Sequence, residues 1–381
     1  MDGTLERGAP RPPGQVVLVL QGGGALGAYQ AGVFEALHEA GIEPDWVIGT
    51  SIGAINAALI AGNAPEERLP RLREFWARIA HDPLVEAWAG LPGGLGALLP
   101  NWATLATGVA GFFRPNPLAF LGWHVPLTAE RAGYYSTAPL AETLAGLVDP
   151  VRLNAGAPRL TVGAANVRTA EMRYFDSRDM PLGLPHILAS GALPPAFPAV
   201  RIEGELWWDG GILSNTPVEC VFDDNPRRDS LVFAVHIWNP QGPEPGTIAQ
   251  VMHRHKDLQY ASRAATHIRR QQQMHRLRHV INELALRLPE GARADPAVRE
   301  MAAYGCRTVM HVVRLLAPGL HNEDHTKDID FSRAGIRARW EAGLADTRRA
   351  LAARPWEAAA PDPLEGVVLH ELRREGALVA A

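Results

Sequence analysis

An apolar strand and a helix of small residues flank the segment Gly49-Thr50-Ser51-Ile52-Gly53, which has the form of a nucleophile elbow. A sharp strand-to-helix turn strains the backbone at its central serine. Gly49 and Gly53 would remove the Cβ clashes that such a turn otherwise produces. The pattern predicts that the Ser51 hydroxyl projects above the carboxyl end of a parallel sheet, where it can act as a nucleophile.

A serine nucleophile needs a base, and the sequence offers two candidates. Asp209 ends an apolar strand and precedes two glycines, which leave space in front of its carboxylate. His236, on a later apolar strand, would instead complete a Ser-Asp-His triad in the chain order of α/β-hydrolases. An Asp-Gly step is also common in ordinary turns. The choice between Asp209 acting directly and a triad through His236 therefore stays open at this point.

A glycine-rich loop lies upstream of the elbow. Gly22, Gly23 and Gly24 follow the first predicted strand and precede a helix, so that successive backbone N–H groups can face one concavity. Such a cradle suits a phosphate or the oxyanion of a reaction intermediate. The spacing of Gly22, Gly24 and Gly27 also fits a dinucleotide-binding loop. The acidic residue which that loop requires would be Asp45, but Asp45 precedes the second strand and would lie at the wrong end of the sheet.

The elements that must position these residues alternate between strands and helices. Strands are predicted at 16–20, 46–48, 160–164, 172–175, 206–208 and 231–237, and helices at 28–40 and 54–61. Strand, helix, strand and helix within fifty residues indicate a right-handed βαβ unit and an α/β fold.

The composition changes after Asn239, where a Pro- and Gly-rich stretch at 240–246 resembles a linker. Beyond it we predict a long helix at 247–288, a strand at 309–315 and a helix at 333–353. The long helix should bury one apolar face, formed by Leu258, Ala261, Ala265, Ile268, Leu277, Ile281, Leu284 and Leu288. The predicted organisation is a disordered segment at 1–14, a catalytic domain at 15–240 and a mainly helical extension at 241–381.

Composition excludes several classes of protein. The 381 residues are 47% hydrophobic and 20% charged, which is enough apolar material for a sizeable core and excludes a disordered or fibrous chain. A net charge of −4 disfavours a globally basic nucleic-acid binder. Cys220 and Cys306 cannot build a disulfide framework or a cysteine-based zinc site. With no secretory signal visible at the N-terminus, we expect a cytoplasmic location.

These motifs together resemble those of the patatin-like phospholipase family. Three motifs of that family occur here in the same order. The glycine loop begins at Gly22, the G-x-S-x-G elbow begins at Gly49, and the D-G-G-x-x-x-N-x-P segment runs from Asp209 through Asn215 to Pro217. The stretch at 189–198 also resembles the family's small-residue block before the aspartate. The resemblance covers about residues 15–240.

The resemblance implies a three-layer α/β/α fold with a mainly parallel central sheet, here followed by a largely helical C-terminal extension. It implies a Ser-Asp dyad without histidine, with Ser51 as nucleophile and Asp209 as proton acceptor. Gly22, Gly23 and Gly24 would supply the oxyanion hole, and a lipid ester would release its fatty acid through an acyl-enzyme. No cofactor and no metal are expected. Because Leu26 stands where many members carry Arg or Lys, ester cleavage is a firmer expectation than a phospholipid substrate.

The stretch between Glu86 and Glu130 carries one formally charged residue, Arg114. From Leu91 to Phe113 it is as apolar as a membrane span, but its prolines and glycines do not favour one continuous helix. In a lipid hydrolase such an insert suits an acyl-chain wall or an interfacial lid. A buried core segment is the alternative.

The long predicted helix is dense in Arg, Lys and His from His253 to His279. This pattern is typical of a solvated helix face, or of a surface that docks peripherally on the anionic inner face of a membrane. Nucleic acid is not expected as a partner, because Tyr260 is the single aromatic residue in the stretch. The histidines at 253, 255, 321 and 325 indicate a polar loop rather than a metal site. The sequence does not predict an oligomeric state.

Overall fold

The computed structural model describes residues 12–81, 104–122, 124–320, 323–357, 362 and 364–371, without the side chains of 120, 121 and 262–265. Most of the segment predicted to be disordered, much of the apolar insert and His321 lie outside the described residues. The strands are β1 (Gln15–Leu20), β2 (Trp46–Gly49), β3 (Arg114–Pro115), β4 (Tyr135–Ser136), β5 (Arg159–Asn166), β6 (Met172–Asp176), β7 (Val200–Ile202), β8 (Glu205–Asp209), β9 (Ser230–His236), β10 (Met310–Leu316) and β11 (Val367–Glu371).

Within the described residues the central sheet has nine strands. Neighbours along β11-β10-β9-β1-β2-β5 are all parallel, whereas β6 and β8 pair antiparallel with β5, and β7 with β8. β3 and β4 form a separate two-stranded ribbon. The strands predicted before residue 240 are all present, within two residues of their predicted bounds.

Helices cover both faces of this sheet. They are α1 (Ala28–Glu39), α2 (Ile52–Ala61), α3 (Pro65–Arg78), α4 (Ala138–Leu147), α5 (Pro150–Leu153), α6 (Leu184–Ser190), α7 (Glu219–Phe222), α8 (Ile248–Arg287), α9 (Glu290–Ala294), α10 (Pro296–Ala302) and α11 (Arg333–Ala353). Side chains of β1 alternate between the faces: Leu18 and Leu20 pack in the core formed with α1 and α2, while Val17 and Val19 pack with Phe222 of α7. The α/β/α layering expected from the resemblance is confirmed.

The C-terminal part shares this sheet and packs directly on α1. β10 and β11 extend the parallel array beyond β9. α1 and α11 cross with their backbones nearly in contact, because a Cβ on Gly32 would lie 1.9 Å from the Trp340 carbonyl oxygen, and one on Gly343 would lie 2.0 Å from that of Tyr29. The division near residue 240 stays a prediction, and it separates segments that contribute strands to one sheet.

The predicted buried face of α8 is correct at Ala261 and Ile268 and wrong at its four leucines. The side chains that face the protein are Asp257, Ala261, Ile268, His275 and His279. By contrast, Leu258, Leu277, Leu284 and Leu288 are exposed, with Leu284 at 59%. The apolar pattern gave the helix its correct extent but not its full orientation, because the side of α8 that faces the core also makes polar contacts with Lys327 and Asp328, with Thr308 and with Val367 of β11.

No helix among the described residues has the length and apolarity to cross a membrane.

Candidate active site

Ser51 occupies a strained turn between β2 and α2. Its backbone has φ 57° and ψ −126°, a region that side-chain-bearing residues seldom adopt. The turn is tight enough to require glycine on both sides: a Cβ on Gly49 would lie 2.3 Å from the Gly53 backbone, and one on Gly53 would lie 2.3 Å from the Leu20 carbonyl oxygen. This sharp strand-to-helix turn holds Ser51 at the carboxyl end of the parallel strands, and the role of Ser51 as a nucleophile stays a prediction.

Asp209 ends β8 and is 2% exposed. Its carboxylate accepts the Gly211 backbone N–H at 2.7 Å. Burial raises the pKa of Asp209 to about 7, although the neighbouring Ser51 hydroxyl and the Gly211 N–H both act to lower it. Asp209 is thus a buried carboxyl beside Ser51 that gains or loses its proton near neutral pH.

The end of α6 ties Ser51 to Asp209. The Ser51 backbone N–H is shared between the carbonyl and hydroxyl oxygens of Ser190, both at 3.1 Å. Two residues later, the Ala192 carbonyl accepts the Asp209 backbone N–H at 3.0 Å. The Ser190 hydroxyl in turn donates to the Gly163 carbonyl of β5 at 2.7 Å. The small-residue block at 189–198 therefore fixes the distance between the two strand ends.

The three glycines of the loop have different roles. Gly22 lies against the nucleophile, since a Cβ there would be 2.9 Å from the Ser51 Cβ. Its N–H is already used, because it donates to the Asn215 carbonyl at 3.2 Å. The N–H groups of Gly23 and Gly24 have no acceptor within the described part of the chain. Gly24 has φ 54°, and a Cβ there would lie 2.2 Å from the Asp328 carbonyl oxygen.

A cavity of about 220 Å³ opens beside Ser51 and Asp209. Its lining is mainly apolar and aromatic, and includes Ile55, Leu105, Phe112, Phe113, Tyr135, Leu140, Leu188, Phe197 and Phe331. Phe112 and Phe113, from the described part of the apolar insert, also pack in the core and contact each other edge to face. The insert thus forms both cavity wall and core where it is described. Residues 82–103 lie outside the described residues.

The alternatives weighed on the sequence are less well supported. His236 is buried on β9, does not line the cavity, and is not among the groups that contact Asp209. Burial, assisted by the Arg314 charge, lowers the pKa of His236 to about 3. Asp45 accepts the Val16 N–H at 2.8 Å. It lies at the amino end of the parallel strands, opposite to Ser51, where its position before the second strand predicted it to be.

Three residues important to the site were missed on the sequence. Gln21 is fully buried and links the loop to its surroundings: its side chain accepts the Ile237 and Trp238 N–H groups and donates to Thr216 and the Tyr260 carbonyl. Trp238 donates from its indole to the Gly22 carbonyl at 2.7 Å. Tyr260 stacks on Trp238 with centroids 4.9 Å apart. A polar Gln directly after a fully apolar strand was the one available signal.

The C-terminal part completes the cavity. Tyr260 from α8, together with Asp328, Ile329 and Phe331, contributes to the lining. Lys256 pairs with the Asp328 carboxylate at 2.7 and 3.0 Å, which fastens the 327–329 turn to α8. The site is therefore assembled from both sides of residue 240.

Comparison with known proteins gives matches over most of the chain. A family model described as "Patatin-like phospholipase" matches residues 18–221, and one described as "Patatin phospholipase" matches residues 258–363. A lysophospholipase of Aspergillus terreus is 56% identical over 63 residues, which are 16% of this chain and 4% of that protein. A triacylglycerol lipase of Schizosaccharomyces pombe is 42% identical over 62 residues, 16% of this chain and 13% of that protein. The matched part is thus a small share of either relative.

Among solved structures, VipD from Legionella pneumophila aligns with 90% of this chain and 67% of its own, at 16% identity and a TM-score of 0.37. The complex of ExoU with SpcU from Pseudomonas aeruginosa aligns with 93% of this chain and 74% of its own, at 18% identity and a TM-score of 0.28. Both TM-scores are low, so the likeness to either structure is weak.

Proposed function

The chain belongs to the patatin-like phospholipase family, and from that premise we propose that it is a serine lipid acyl hydrolase that works through a Ser51-Asp209 dyad. One observation carries the proposal above all others. The Ser51 hydroxyl lies at the mouth of one cavity with a buried carboxylate, Asp209, whose pKa is raised to about 7 and which interacts with that hydroxyl. Because Asp209 interacts with Ser51 directly, no histidine is needed between them.

In the first half of the reaction, Ser51 Oγ attacks the ester carbonyl carbon while its proton passes to Asp209. The tetrahedral intermediate collapses, the C–O bond to the alcohol breaks, and Asp209 returns the proton to the leaving oxygen. In the second half, water attacks the acyl-enzyme and gives up a proton to Asp209. As the C–O bond to Ser51 breaks, Asp209 passes this proton to Ser51 Oγ and the fatty acid leaves. The Ser51 hydroxyl and the Asp209 carboxylate are both restored, so that atoms and protons balance over the cycle.

The negative charge on the tetrahedral intermediate needs donors in place beforehand. We propose the N–H groups of Gly23 and Gly24, which line the cavity beside Ser51. The amino end of α2, which begins directly after Ser51, adds a favourable dipole. Gly22 enters the proposal as the glycine that allows the loop to approach Ser51, rather than as a donor, because its own N–H already bonds to Asn215.

The apolar part of the cavity suits the acyl chain. Its aromatic side chains lie beyond Ser51, at the place where the acyl group of a bound ester would extend. For the apolar insert, the described residues therefore support an acyl-chain wall. These apolar contacts recognise the acyl chain, which phospholipids and neutral esters share.

A fluorophosphonate probe combined with ester hydrolysis tests the dyad. Wild-type protein should be labelled, and Ser51→Ala should abolish both labelling and activity. Ser177→Ala is the matched control, because Ser177 makes a structural hydrogen bond to the Leu160 N–H at the opposite edge of the sheet. Retained hydrolysis by folded Ser51→Ala would overturn the proposal.

We also propose that the exposed face of α8 contacts an anionic membrane surface peripherally. This face carries large apolar side chains near both ends, among them Ile248 at 81% exposure and Leu277 at 58%. Between these ends it carries exposed Arg269 and Arg270. Apolar side chains alternating with cations along one exposed helix face suit insertion at a lipid headgroup boundary.

Sedimentation with phosphatidylcholine vesicles, with and without phosphatidylglycerol, tests this contact. Binding should require the anionic lipid and should weaken in Arg269→Gln/Arg270→Gln. Arg337→Gln/Arg348→Gln removes the same charge from exposed positions on α11 and should bind as the wild type does. If binding does not depend on lipid charge, or if both variants behave alike, the α8 face is an ordinary solvated surface.

A further inference from the structure

We propose that Trp238 is a positioning residue of the oxyanion hole, and that the C-terminal part of the chain acts on the reaction by holding its indole in place. The inference rests on the hydrolase function proposed above. It concerns the peptide bond between Gly22 and Gly23, which joins the glycine that contacts Ser51 to the first proposed oxyanion donor.

The carbonyl of this peptide is held from two sides. Trp238 Nε1 donates to the Gly22 oxygen at 2.7 Å, and Asn215 Nδ2 donates to it at 3.1 Å. All three residues are buried or nearly so. The described cis peptides lie elsewhere, so this peptide is trans. In a trans peptide the C=O and the following N–H point in opposite directions. Fixing the Gly22 carbonyl therefore aims the Gly23 N–H away from Trp238 and Asn215.

The indole also packs directly on the next residue. Gly23 has φ 157°, and a Cβ there would lie 2.7 Å from Trp238 Nε1 and 2.9 Å from Ile237 Cδ1. The absence of a side chain at Gly23 thus lets the indole approach closely enough to make its hydrogen bond. The loop and the indole fit together as one unit, and movement of either would tilt the Gly23 N–H.

Groups from beyond residue 240 clamp the indole in turn. Tyr260 of α8 stacks on it at 4.9 Å between centroids, with 31° between the planes. The Lys327 ammonium lies 5.3 Å from the indole ring centroid, in cation–π range. Lys327 is buried and pairs with the buried Asp257 of α8 at 2.7 Å. A buried ion pair is seldom a net source of stability, but it does fix where its members lie.

The chain of contacts therefore runs from Asp257 and Lys327 through Trp238 to the Gly22 carbonyl. The two hydrogen-bonded contacts, Asp257–Lys327 and Trp238–Gly22, are both 2.7 Å long and are made by buried side chains, and neither uses an atom of Asp209 or of the Ser51 hydroxyl. This arrangement gives the C-terminal part a definite task, which is to pre-organise a hydrogen-bond donor for the charge that develops in the transition state.

Trp238→Phe removes the indole N–H and keeps an aromatic ring in place. We expect kcat/KM for an ester to fall about 10- to 100-fold, through kcat rather than KM, because a misaimed donor weakens transition-state binding more than ground-state binding. Affinity for a trifluoromethyl ketone, whose adduct with serine carries an oxyanion, should fall by a similar factor. The pH at which activity is half-maximal should not move, because Asp209 is untouched.

Trp46→Phe is the matched control. Trp46 is equally buried and donates from its indole to Thr161 Oγ1 at 2.7 Å, at the opposite edge of the sheet. It should lose stability as Trp238→Phe does and keep wild-type kcat. If Trp238→Phe does not fold, Tyr260→Leu removes the stacked ring, keeps the Tyr260 carbonyl, and should give a smaller loss in both kcat and inhibitor affinity.

The inference is overturned if the folded Trp238 variant, or Tyr260→Leu in its place, keeps kcat and inhibitor affinity within about threefold of the wild type. It is also overturned if the loss lies in KM alone, or equals that of Trp46→Phe. Because Ser51→Ala is measured alongside, an inactive Ser51 variant with a fully active Trp238 variant would reject this inference and leave the proposed hydrolase function intact.

Discussion

Two buried aspartates end strands of the same sheet and have opposite electrostatics. Asp209 at the end of β8 is 2% exposed, and Asp176 at the end of β6 is 5% exposed. Burial raises the pKa of Asp209 to about 7. At Asp176 burial acts in the same direction, but hydrogen bonds from Arg159 and Thr161 outweigh it and lower the pKa below the usual value. The difference is a partner cation, which Arg159 supplies at Asp176 and which none of the described residues supplies at Asp209.

The two sites thus show what burial of a carboxylate does with and without compensation. Asp176 is held by Arg159 at 2.6 Å, and Arg159 also pairs with the buried Asp224 at 3.0 Å. Both buried carboxylates at that edge of the sheet are therefore paired with a cation. The edge that carries Asp209 also holds the strained backbone of Ser51 and an open cavity. The edge where we place the chemistry thus combines a strained backbone at Ser51 with a buried carboxyl that no described cation contacts, as expected where function opposes stability.

The largest expected effect is on activity. Asp209→Asn should lower kcat about 10²–10⁴-fold, because an amide cannot accept the Ser51 proton. Asp176→Asn makes the same chemical change at a carboxylate of similar burial and should leave kcat per folded molecule unchanged. The measurement is ester hydrolysis normalised to the folded fraction. Equal losses in the two variants would mean that Asp209 is structural.

The same two substitutions should affect stability in the reverse order, with the larger loss at Asp176. Asp176→Asn leaves Arg159 partly uncompensated and should cost about 3 kcal/mol or more of unfolding free energy at neutral pH. Asp209→Asn should increase stability at pH 8.5 by roughly 1–3 kcal/mol. Because the pKa of Asp209 is raised in the folded state, the wild-type protein loses stability as the pH rises from about 4 to about 7. The amide of the variant does not titrate, so the variant does not lose this stability. Urea unfolding at pH 4 and pH 8.5 checks this, and an Asp209→Asn gain that is the same at both pH values would contradict it.

The pH dependence of the rate should follow the same carboxyl. Asp209 must be ionised to act as base, so activity should be full above about pH 7 and should fall about tenfold per pH unit below it. Asp176 keeps its charge throughout this range, because its pKa is lowered. The kcat/KM profile of a neutral ester, whose own ionisation does not intervene, measures the effect. A profile flat down to pH 5 would place the base elsewhere.

Local sequence patterns sufficed to predict the elements that carry Ser51 and Asp209, because an elbow and a strand end are set by neighbouring residues. They did not predict how β10 and β11 extend the sheet past β9, since strand order depends on contacts distant in sequence. The roles of Trp238 and Tyr260 were missed for the same reason. The orientation of α8 was predicted only in part, because buried polar groups such as Asp257 took the place that hydrophobicity assigned to leucines.

The smallest expected effect concerns His236. It decides whether Asp209 acts on Ser51 without a histidine. His236→Phe should leave kcat, and the pH of half-maximal activity near 7, unchanged. The imidazole has a pKa lowered to about 3, is neutral when Asp209 titrates, and has a buried Nε2 without a hydrogen-bond partner among the described residues. Replacing it by a ring of similar size costs no paired hydrogen bond of the side chain, so stability should change by less than about 1 kcal/mol. A hundredfold drop in kcat, on the scale of a lost general base, would restore the triad and show that Asp209 orients a histidine instead of accepting the Ser51 proton itself.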